Sequence, residues 1–126
     1  MNLDPLQRAV TDTQVERLCT AMNLLRKMDS EMPAQLVCSL FYIASHNYCH
    51  KQAVEEDLQL TVAAGSRNTD WLSDDHRLNK PGLGLITKQR DPNNGRRLQM
   101  VLTPKGQVLV DQIKDVLYGS SLEAEE

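Results

Sequence analysis

The chain has 126 residues, of which 40% are hydrophobic and 25% charged, and a net charge of −3, a composition that is typical of one globular domain and excludes a disordered chain. No apolar run is long enough to span a membrane or to form a secretory signal, so no membrane partner is expected. Three cysteines without a CxxC pair favour a reducing compartment, and we expect a cytoplasmic protein.

Basic residues are concentrated in one part of the chain. Residues 62–105 carry eight Lys or Arg and four Asp or Glu, whereas residues 1–61 and 106–126 each carry a net negative charge. Phosphate binding requires such a local basic stretch. Taken alone, the pattern is more typical of a mixed solvated surface.

A long first helix is predicted over residues 1–30, after a short lead. Four of its apolar residues follow a 3-4-3 spacing and form a narrow seam that is suited to packing against another helix. These residues are Val15, Leu18, Met22 and Leu25. A second helix is predicted from Pro33 to about residue 47, because proline suits the first helical position. Its broad apolar face comprises Leu36, Val37, Leu40, Phe41, Ile43 and Ala44.

Two shorter helices follow, joined by a tight turn. After a connector at 47–52, residues 52–60 are predicted to form an amphipathic helix. Thr61 is the predicted N-cap of the next helix, over 62–73. The polar residues 73–82 end in Pro-Gly and predict a loop. The core-facing residues of the helix over 62–73 are predicted to be Val62, Gly65 or Ser66, Thr69 and Leu72.

A β-hairpin and a final helix are predicted in the last third of the chain. Strands are predicted over 84–90 and 97–102, on either side of the turn sequence DPNNG. Thr103 is expected to cap a helix that begins at Pro104. The apolar face of that helix comprises Leu109, Ile113, Val116 and Leu117.

The order of these elements predicts a mainly α fold with a β-hairpin wing, the winged helix-turn-helix. The chain is predicted to be a single domain over 1–126, in which residues 33–103 form the winged helix-turn-helix part. The N-terminal helix in 1–30 and the C-terminal helix over 104–118 flank this part, and residues 119–126 form an acidic tail. In this fold the second helix of the pair enters the major groove of DNA, and the hairpin lies along the neighbouring backbone or minor groove.

Two segments resemble the MarR family of bacterial transcriptional regulators. VEEDLQLTVAAGSRNTDWL at 54–72 is similar to its helix-turn-helix, and Ser66-Arg67 stands where that pattern carries Ser-Arg. GLITKQRDPNNGRRLQMVLTPKG at 84–106 is similar to its wing, which has the usual form Gly-Leu-Ile/Val, Arg-Asp-Pro-x-Asp-x-Arg and Leu-Thr-x-x-Gly.

The chain departs from the MarR pattern at three places. Gln59 replaces the usual glycine of the turn, and Gly65 lies within the recognition helix, where it reduces helix stability. The link between Leu72 and Gly84 is longer than in the family. The resemblance therefore implies an atypical MarR-like protein.

The resemblance implies a DNA interface on the recognition helix and the wing. Arginine can pair with guanine, asparagine with adenine, and alanine can touch a thymine methyl group, so an exposed face with Ala63, Ala64, Arg67 and Asn68 is expected to read bases. In the wing, Arg96 matches the family's arginine, and Asp91 is expected to pair with a wing arginine. The whole predicted interface comprises Thr61, Ala63, Ala64, Ser66, Arg67, Asn68, Lys88, Arg90, Asp91, Asn94, Arg96 and Arg97. The alternative is a solvated helix face and a charged hairpin tip that serves only the turn.

The resemblance also implies a homodimer, because the terminal helices pack together in MarR-like dimers. The seam of the first helix and the apolar face of the last lie at opposite ends of the chain, and a small monomer could not easily cover both. The predicted dimerisation residues are Val15, Leu18, Met22, Leu25, Leu109, Ile113, Val116 and Leu117. A two-fold dimer would bind a palindromic site on double-stranded DNA.

These features predict a sequence-specific DNA-binding regulator of transcription, a homodimeric repressor by analogy with the family. A small-molecule effector is a further partner that the resemblance suggests, although no residue set identifies its pocket. Two alternatives stay open: a winged-helix module that docks on polymerase or another protein, and a DNA-binding replication or partition factor. No arrangement of nucleophile and base and no phosphate-binding loop indicates an enzyme or a cofactor.

Two groups of residues have chemical uses that the sequence does not favour. His46, Cys49 and His50 are of the types that ligate metals, but no fourth ligand is spaced for a tetrahedral site, so no metal is expected. Cys19 could act as a redox sensor, although a buried, inert thiol is the favoured interpretation.

Overall fold

The computed structural model describes residues 8–74 and 81–119. Some predictions lie outside the described residues: those for residues 1–7, for 75–80 within the loop at 73–82, and for 120–126 of the acidic tail. The described part contains helices α1 to α5 and a three-stranded antiparallel sheet. In chain order the elements are α1 (Thr13–Met28), α2 (Ala34–Ser45), β1 (Cys49–His50), α3 (Lys51–Asp57), α4 (Val62–Leu72), β2 (Ile86–Asp91), β3 (Asn94–Leu102) and α5 (Pro104–Tyr118). This mainly α architecture with a β-hairpin wing confirms the predicted fold class.

Side-chain caps fix the starts of three helices. Asp12 accepts hydrogen bonds from the backbone N–H groups of Gln14 and Val15 at 3.1 Å, so α1 begins at Thr13. Thr61 and Thr103 cap α4 and α5 in the same way, each at 3.0 Å. These two caps confirm the starts that were predicted from the sequence, because each satisfies an N–H group that the helix itself leaves without a partner.

The turn between α3 and α4 contains a residue in a conformation that favours glycine. Gln59 has a φ of 56°, which places its backbone in the left-handed region. The N–H of Leu60 then donates to the carbonyl of Glu55 at 2.8 Å and closes the turn. The MarR pattern usually has glycine at this position, and the left-handed backbone explains why glycine is favoured there.

The sheet has one strand more than the sequence predicted. Within residues 47–52, which were expected to be a connector, β1 pairs with β3 in the register Cys49↔Met100 and His50↔Gln99. Tyr48, at a φ of 61°, turns the chain from α2 into this strand. The strand order is β1-β3-β2, so the wing hairpin is joined to the segment that leads into α3.

The core lies between α1, α2, α5 and the sheet. The largest buried side chains include those of Leu25, Leu36, Leu40, Leu72 and Met100. Burial of such apolar side chains is the main force that holds these elements together. None of the described helices has the length and apolar character needed to cross a membrane.

Part of the predicted dimer seam belongs instead to this core. Leu25, Leu109 and Ile113 are buried within the chain, where α1 packs against α5. They are therefore not exposed for contact with a second subunit, and the expectation that one chain could not cover both stripes was wrong for these residues. The prediction for Val62 was wrong in the opposite sense, because this side chain was expected to face the core and is 69% exposed.

Backbone hydrogen bonds close the base of the longer link between α4 and β2. Leu83 and Leu85 donate to the carbonyls of Trp71 and Leu72, both at 2.8 Å. Gly82 lies so close to Ser73 that an added Cβ would be 2.7 Å from the carbonyl carbon of that residue. The hairpin therefore starts directly against the end of α4, even though the sequence between them is long.

Candidate nucleic-acid interface

The exposed face of α4 is narrower than the sequence predicted. Ala63 and Arg67 are exposed and Ser66 is half-buried, whereas Ala64 is buried and Asn68 is only 5% exposed. The prediction that Ala64 and Asn68 face solvent was therefore wrong. Asn68 instead lies toward α2, where its Nδ2 donates to Gln35 Oε1 at 3.4 Å, because α4 packs against both α2 and α3.

Gly65 allows α4 to approach α3 closely. The side chain of Glu55 is buried and pairs with Lys51 Nζ, and it lies directly over Gly65. An added Cβ on Gly65 would lie 2.8 Å from Glu55 Cδ, which is shorter than real Cβ contacts. The glycine thus has a packing role, in addition to the loss of helix propensity that the sequence indicates.

An ion pair connects α4 to the wing. Lys88 Nζ on β2 contacts Asp70 Oδ1 on α4, and both side chains are half-buried. Lys88 was predicted to contact DNA. The structure instead pairs its charge with Asp70 of α4, which fixes the hairpin beside this helix and leaves Arg67 as an exposed cation of α4.

The wing tip is held by short-range hydrogen bonds. Asp91 is buried, and it accepts from His50 Nε2 at 2.7 Å and from the Asn93 N–H at 2.8 Å. The predicted pairing of Asp91 with a wing arginine is therefore wrong. The Asn93 N–H, and next the hydrogen bond from His50, hold the pKa of Asp91 below its ordinary value. Arg90 Nη1 donates to the Gly95 carbonyl at 2.6 Å, so its guanidinium braces the turn.

Arg96 and Arg97 are exposed cations at this tip. They line a groove of about 330 Å³ that runs between α3, the start of α4 and the wing. Val62 at the start of α4 lies on the same groove. The structure therefore brings together the beginning of α4 and the arginine pair of the wing, which are separated by more than thirty positions in the sequence.

The groove is also lined by residues outside the interface that was predicted from the sequence. His50, Lys51 and Gln52 line it from the start of α3. The signal that could have identified them is the two-residue strand β1, whose pairing with β3 brings this segment to the wing. A strand of that length has no detectable alternation of apolar and polar residues, so the sequence pattern could not indicate it.

The residues with metal-binding or redox chemistry are dispersed. His46 stacks on Tyr42 with ring centroids 3.9 Å apart, whereas His50 is hydrogen-bonded to Asp91. Across residues 8–74 and 81–119, no group of three His, Cys, Asp or Glu side chains is arranged to hold a metal ion. Cys19 is exposed, so the interpretation of this thiol as buried was wrong.

The helices at the two ends of the chain, α1 and α5, expose apolar side chains. Val15, Leu18 and Met22 lie along one side of α1 and are each about half exposed. Val116 and Leu117 on α5 are half-buried, and Tyr118 is exposed. A second groove, of about 440 Å³, separates α2 from α5.

In sequence comparisons, the chain matches no family model and no curated protein. Its structure is similar to that of a MarR transcriptional regulator from Methanosarcina mazei Go1, with a TM-score of 0.61 at 15% identity, over 96% of this chain and 81% of that one. It is also similar to wild-type MarR from E. coli in its apo form, with a TM-score of 0.59 at 19% identity, over 98% and 84%.

Two further structures of similar fold contain ligands. The PcaV transcriptional regulator from Streptomyces coelicolor, in complex with its natural ligand, matches with a TM-score of 0.55 at 20% identity, over 93% of this chain and 89% of that one. Reduced AbfR bound to DNA matches with a TM-score of 0.57 at 17% identity, over 82% and 66%. At these identities the likeness concerns the fold, and the chain therefore has the winged-helix fold that is found in MarR-type transcriptional regulators.

Proposed function

We propose that this protein is a cytoplasmic DNA-binding regulator of transcription that acts as a homodimeric repressor. The observation that carries the proposal is the single groove that contains both the start of α4 and the arginine pair of the wing. In a winged helix these are the two parts that contact the major groove and the adjacent backbone or minor groove. The solved structure of AbfR bound to DNA supports this use of the fold.

The two parts of the interface have different tasks. Arg67 is the exposed charged side chain near the middle of α4, and arginine reads guanine through two hydrogen bonds to its major-groove edge. Arg96 and Arg97 lie on the wing, where arginine is attracted to phosphates or to a narrow minor groove. Arg67 thus contributes to sequence preference, and the wing pair contributes to affinity for any duplex.

Alanine substitutions of Arg96 and Arg67 distinguish these tasks. Arg96→Ala should weaken binding to every duplex and reduce the slope of log K against log salt by about one. Arg67→Ala should cost about 1–3 kcal/mol at one base pair of the preferred site and relax specificity there. Arg26→Ala is the matched control, because Arg26 is on α1 and hydrogen-bonds to Asn23.

Fluorescence anisotropy with labelled duplexes over a range of salt concentrations measures all four proteins. Circular dichroism verifies that each variant is folded, which is expected because the substituted side chains are exposed. If both variants bind DNA as the parent does while they stay folded, the assignment of DNA binding to this surface is refuted. An equal loss of DNA affinity in Arg26→Ala would also count against this assignment, since removal of any positive charge would then have the same effect.

Dimerisation is the second part of the proposal. The half-exposed seam of Val15, Leu18 and Met22 on α1 supports it, because a row of apolar side chains at helical spacing is stabilised when a second helix covers it. A two-fold dimer would present two copies of α4 to half-sites about one helical turn apart. Sedimentation equilibrium tests this part, and a monomeric mass at micromolar concentration would contradict it.

A protein-docking module is the alternative function, and the exposed Val62 favours it. This apolar side chain is 69% exposed at the start of α4, in the middle of the candidate interface, and the whole chain has a net charge of −3. The salt titration separates the two functions, because DNA binding by phosphate neutralisation weakens steeply with salt. Binding that is insensitive to salt, or absent, would favour docking on a protein.

A small-molecule effector is the third part of the proposal. The groove between α2 and α5, lined in part by Phe41, Val110, Leu117 and Tyr118, supports it, since apolar grooves with a few polar groups accept small ligands. The structure of PcaV with its natural ligand shows that one protein of this fold binds a ligand. A screen of small aromatic acids by thermal shift tests this part, and the absence of any shift would contradict it.

A further inference from the structure

His50 connects the two outer strands of the sheet. It lies on β1 opposite Gln99 of β3, and Asp91 lies at the end of β2. Because β1 and β2 each pair with β3, the 2.7 Å contact between His50 Nε2 and Asp91 Oδ2 crosses the middle strand. An ionised carboxylate can only accept hydrogen bonds, so Nε2 is the donor.

The contact lies where the pairing of β2 with β3 is irregular. Arg90 is paired with Leu98, whereas the next residue of β2, Asp91, is paired with Asn94. The three residues of β3 between these pairs are Gly95, Arg96 and Arg97. They have no opposite residue on β2, and such irregular segments lack the regular ladder of hydrogen bonds that fixes a strand.

Side-chain contacts therefore hold this segment in place. Arg90 Nη1 donates to the Gly95 carbonyl at 2.6 Å, and Asn94 Oδ1 accepts from the Arg96 N–H at 3.2 Å. Asp91 closes the turn through the Asn93 N–H. All of these contacts lie within the hairpin, whereas the contact of His50 with Asp91 comes from another strand and ties the hairpin tip to the start of α3.

His50, Arg96 and Arg97 line the same groove beside α4. We propose that His50 is a positioning residue of the DNA interface, whose hydrogen bond to Asp91 holds the irregular segment of the wing so that Arg96 and Arg97 face this groove. The inference rests on the proposed function. It adds a residue on β1, outside both the recognition helix and the wing, that acts on DNA through the two arginines.

Three substitutions of His50 test the inference by DNA affinity. His50→Ala removes the donor and should weaken binding about three- to tenfold, the range expected for the loss of a typical intramolecular hydrogen bond. His50→Gln places an amide N–H where Nε2 was and should restore affinity to within about twofold of the parent. His50→Asn has an amide that is too short to reach Asp91 and should behave as alanine does. His46→Ala is the matched control, because the ring of His46, just after the end of α2, hydrogen-bonds to Tyr42 O and Ser45 Oγ of that helix.

A double-mutant cycle shows whether His50 acts through the arginines. In a variant that already lacks Arg96 and Arg97, His50→Ala should have no further effect, because the groups that it positions are gone. An unchanged loss in that background would overturn the inference. It would also be overturned if His50→Ala bound DNA like the parent, or if His50→Gln bound as weakly as His50→Asn.

Trypsin cleavage of the wing provides a readout that does not depend on DNA. Trypsin cuts after arginine, and in a folded protein the rate of cleavage follows local opening. Cleavage after Arg96 and Arg97, followed by mass spectrometry, should be several-fold faster in His50→Ala and return to the parent rate in His50→Gln. If the parent protein binds no duplex, the proposed function fails, and these cleavage rates alone decide the inference: equal rates for all proteins overturn it. If His50→Ala does not fold, the comparison of His50→Asn with His50→Gln decides in the same way.

Discussion

Replacement of Gly65 by alanine tests how α4 is held against α3. On helix propensity alone, this change within a helix should stabilise the protein by about 1 kcal/mol. The structure predicts the opposite sign, because the added Cβ would lie 2.8 Å from Glu55 Cδ and nearer still to two other atoms of that side chain. The Glu55 side chain would have to move.

The cost of that movement decides the sign. Glu55 is buried and paired with Lys51, so a displaced carboxylate loses both its packing and its partner. Overpacking of a filled site typically costs about 1–3 kcal/mol, and a buried polar group without its partner costs about as much again. With the gain in propensity subtracted, we expect a net loss of about 1–5 kcal/mol of unfolding free energy and a fall in Tm of roughly 3–5 °C for each kcal/mol lost.

Urea and thermal unfolding of five proteins measure the effect: the parent, Gly65→Ala, Gly95→Ala, Glu55→Ala and the double variant. Gly95→Ala is the control, because no atom lies within 4 Å of an added Cβ there, and its stability should change little. In a Glu55→Ala background the obstacle is gone, so Gly65→Ala should become stabilising by about 1 kcal/mol. The reasoning is refuted if Gly65→Ala stabilises the parent protein, or if it has the same effect in both backgrounds.

Three further predictions concern the turn, the dimer and acid stability. Gln59→Gly should raise the unfolding free energy by about 0.5–1 kcal/mol, because a φ of 56° strains any residue with a side chain. The same change at the helical Gln112 should lower the unfolding free energy by about 1 kcal/mol. A loss of stability at both positions in urea unfolding would contradict this prediction. Val15→Glu should shift a dimer to monomers in sedimentation experiments. Val108→Glu, which also replaces a side chain that is 58% exposed, should leave the dimer intact. Equal effects of the two substitutions would refute the assignment of the α1 seam to the dimer interface. Because the pKa of Asp91 is lowered in the folded state, the stability that it contributes is present above the ordinary Asp pKa and is lost as the pH falls through the lower folded value. Asp91→Asn should therefore show less acid destabilisation than the parent in urea unfolding, and an unchanged pH profile would contradict the assignment.

The elements of the fold were predictable because their signals are local. The caps at Thr61 and Thr103 and the turn sequence DPNNG each specify a backbone conformation within a few residues. The alternation of polar and apolar residues over 97–100 identifies a strand with one buried side, and Met100 is buried as expected. These signals are independent of what the elements pack against, so the sequence is sufficient to read them.

The partners of those elements were not predictable from the same signals. Helical periodicity defines the faces of α4 but not which face is covered, and the burial of Asn68 and exposure of Val62 reverse what polarity suggests. The contact between His50 and Asp91 joins positions 41 residues apart through a two-residue strand without a sequence pattern. The burial of Leu25, Leu109 and Ile113 follows from the packing of α1 on α5 within one chain, which an apolar stripe does not distinguish from packing between chains.

The central claim is that the groove between α4 and the wing binds duplex DNA of a preferred sequence. Selection of bound duplexes from a random pool, followed by titration of the selected duplex and a scrambled one over a range of salt concentrations, tests it most directly. We predict a palindromic consensus that is bound at least about a thousandfold more tightly than the scrambled duplex, with affinity for both falling steeply as salt rises. A pool that yields no consensus, together with equal and salt-insensitive binding of both duplexes, would contradict the claim.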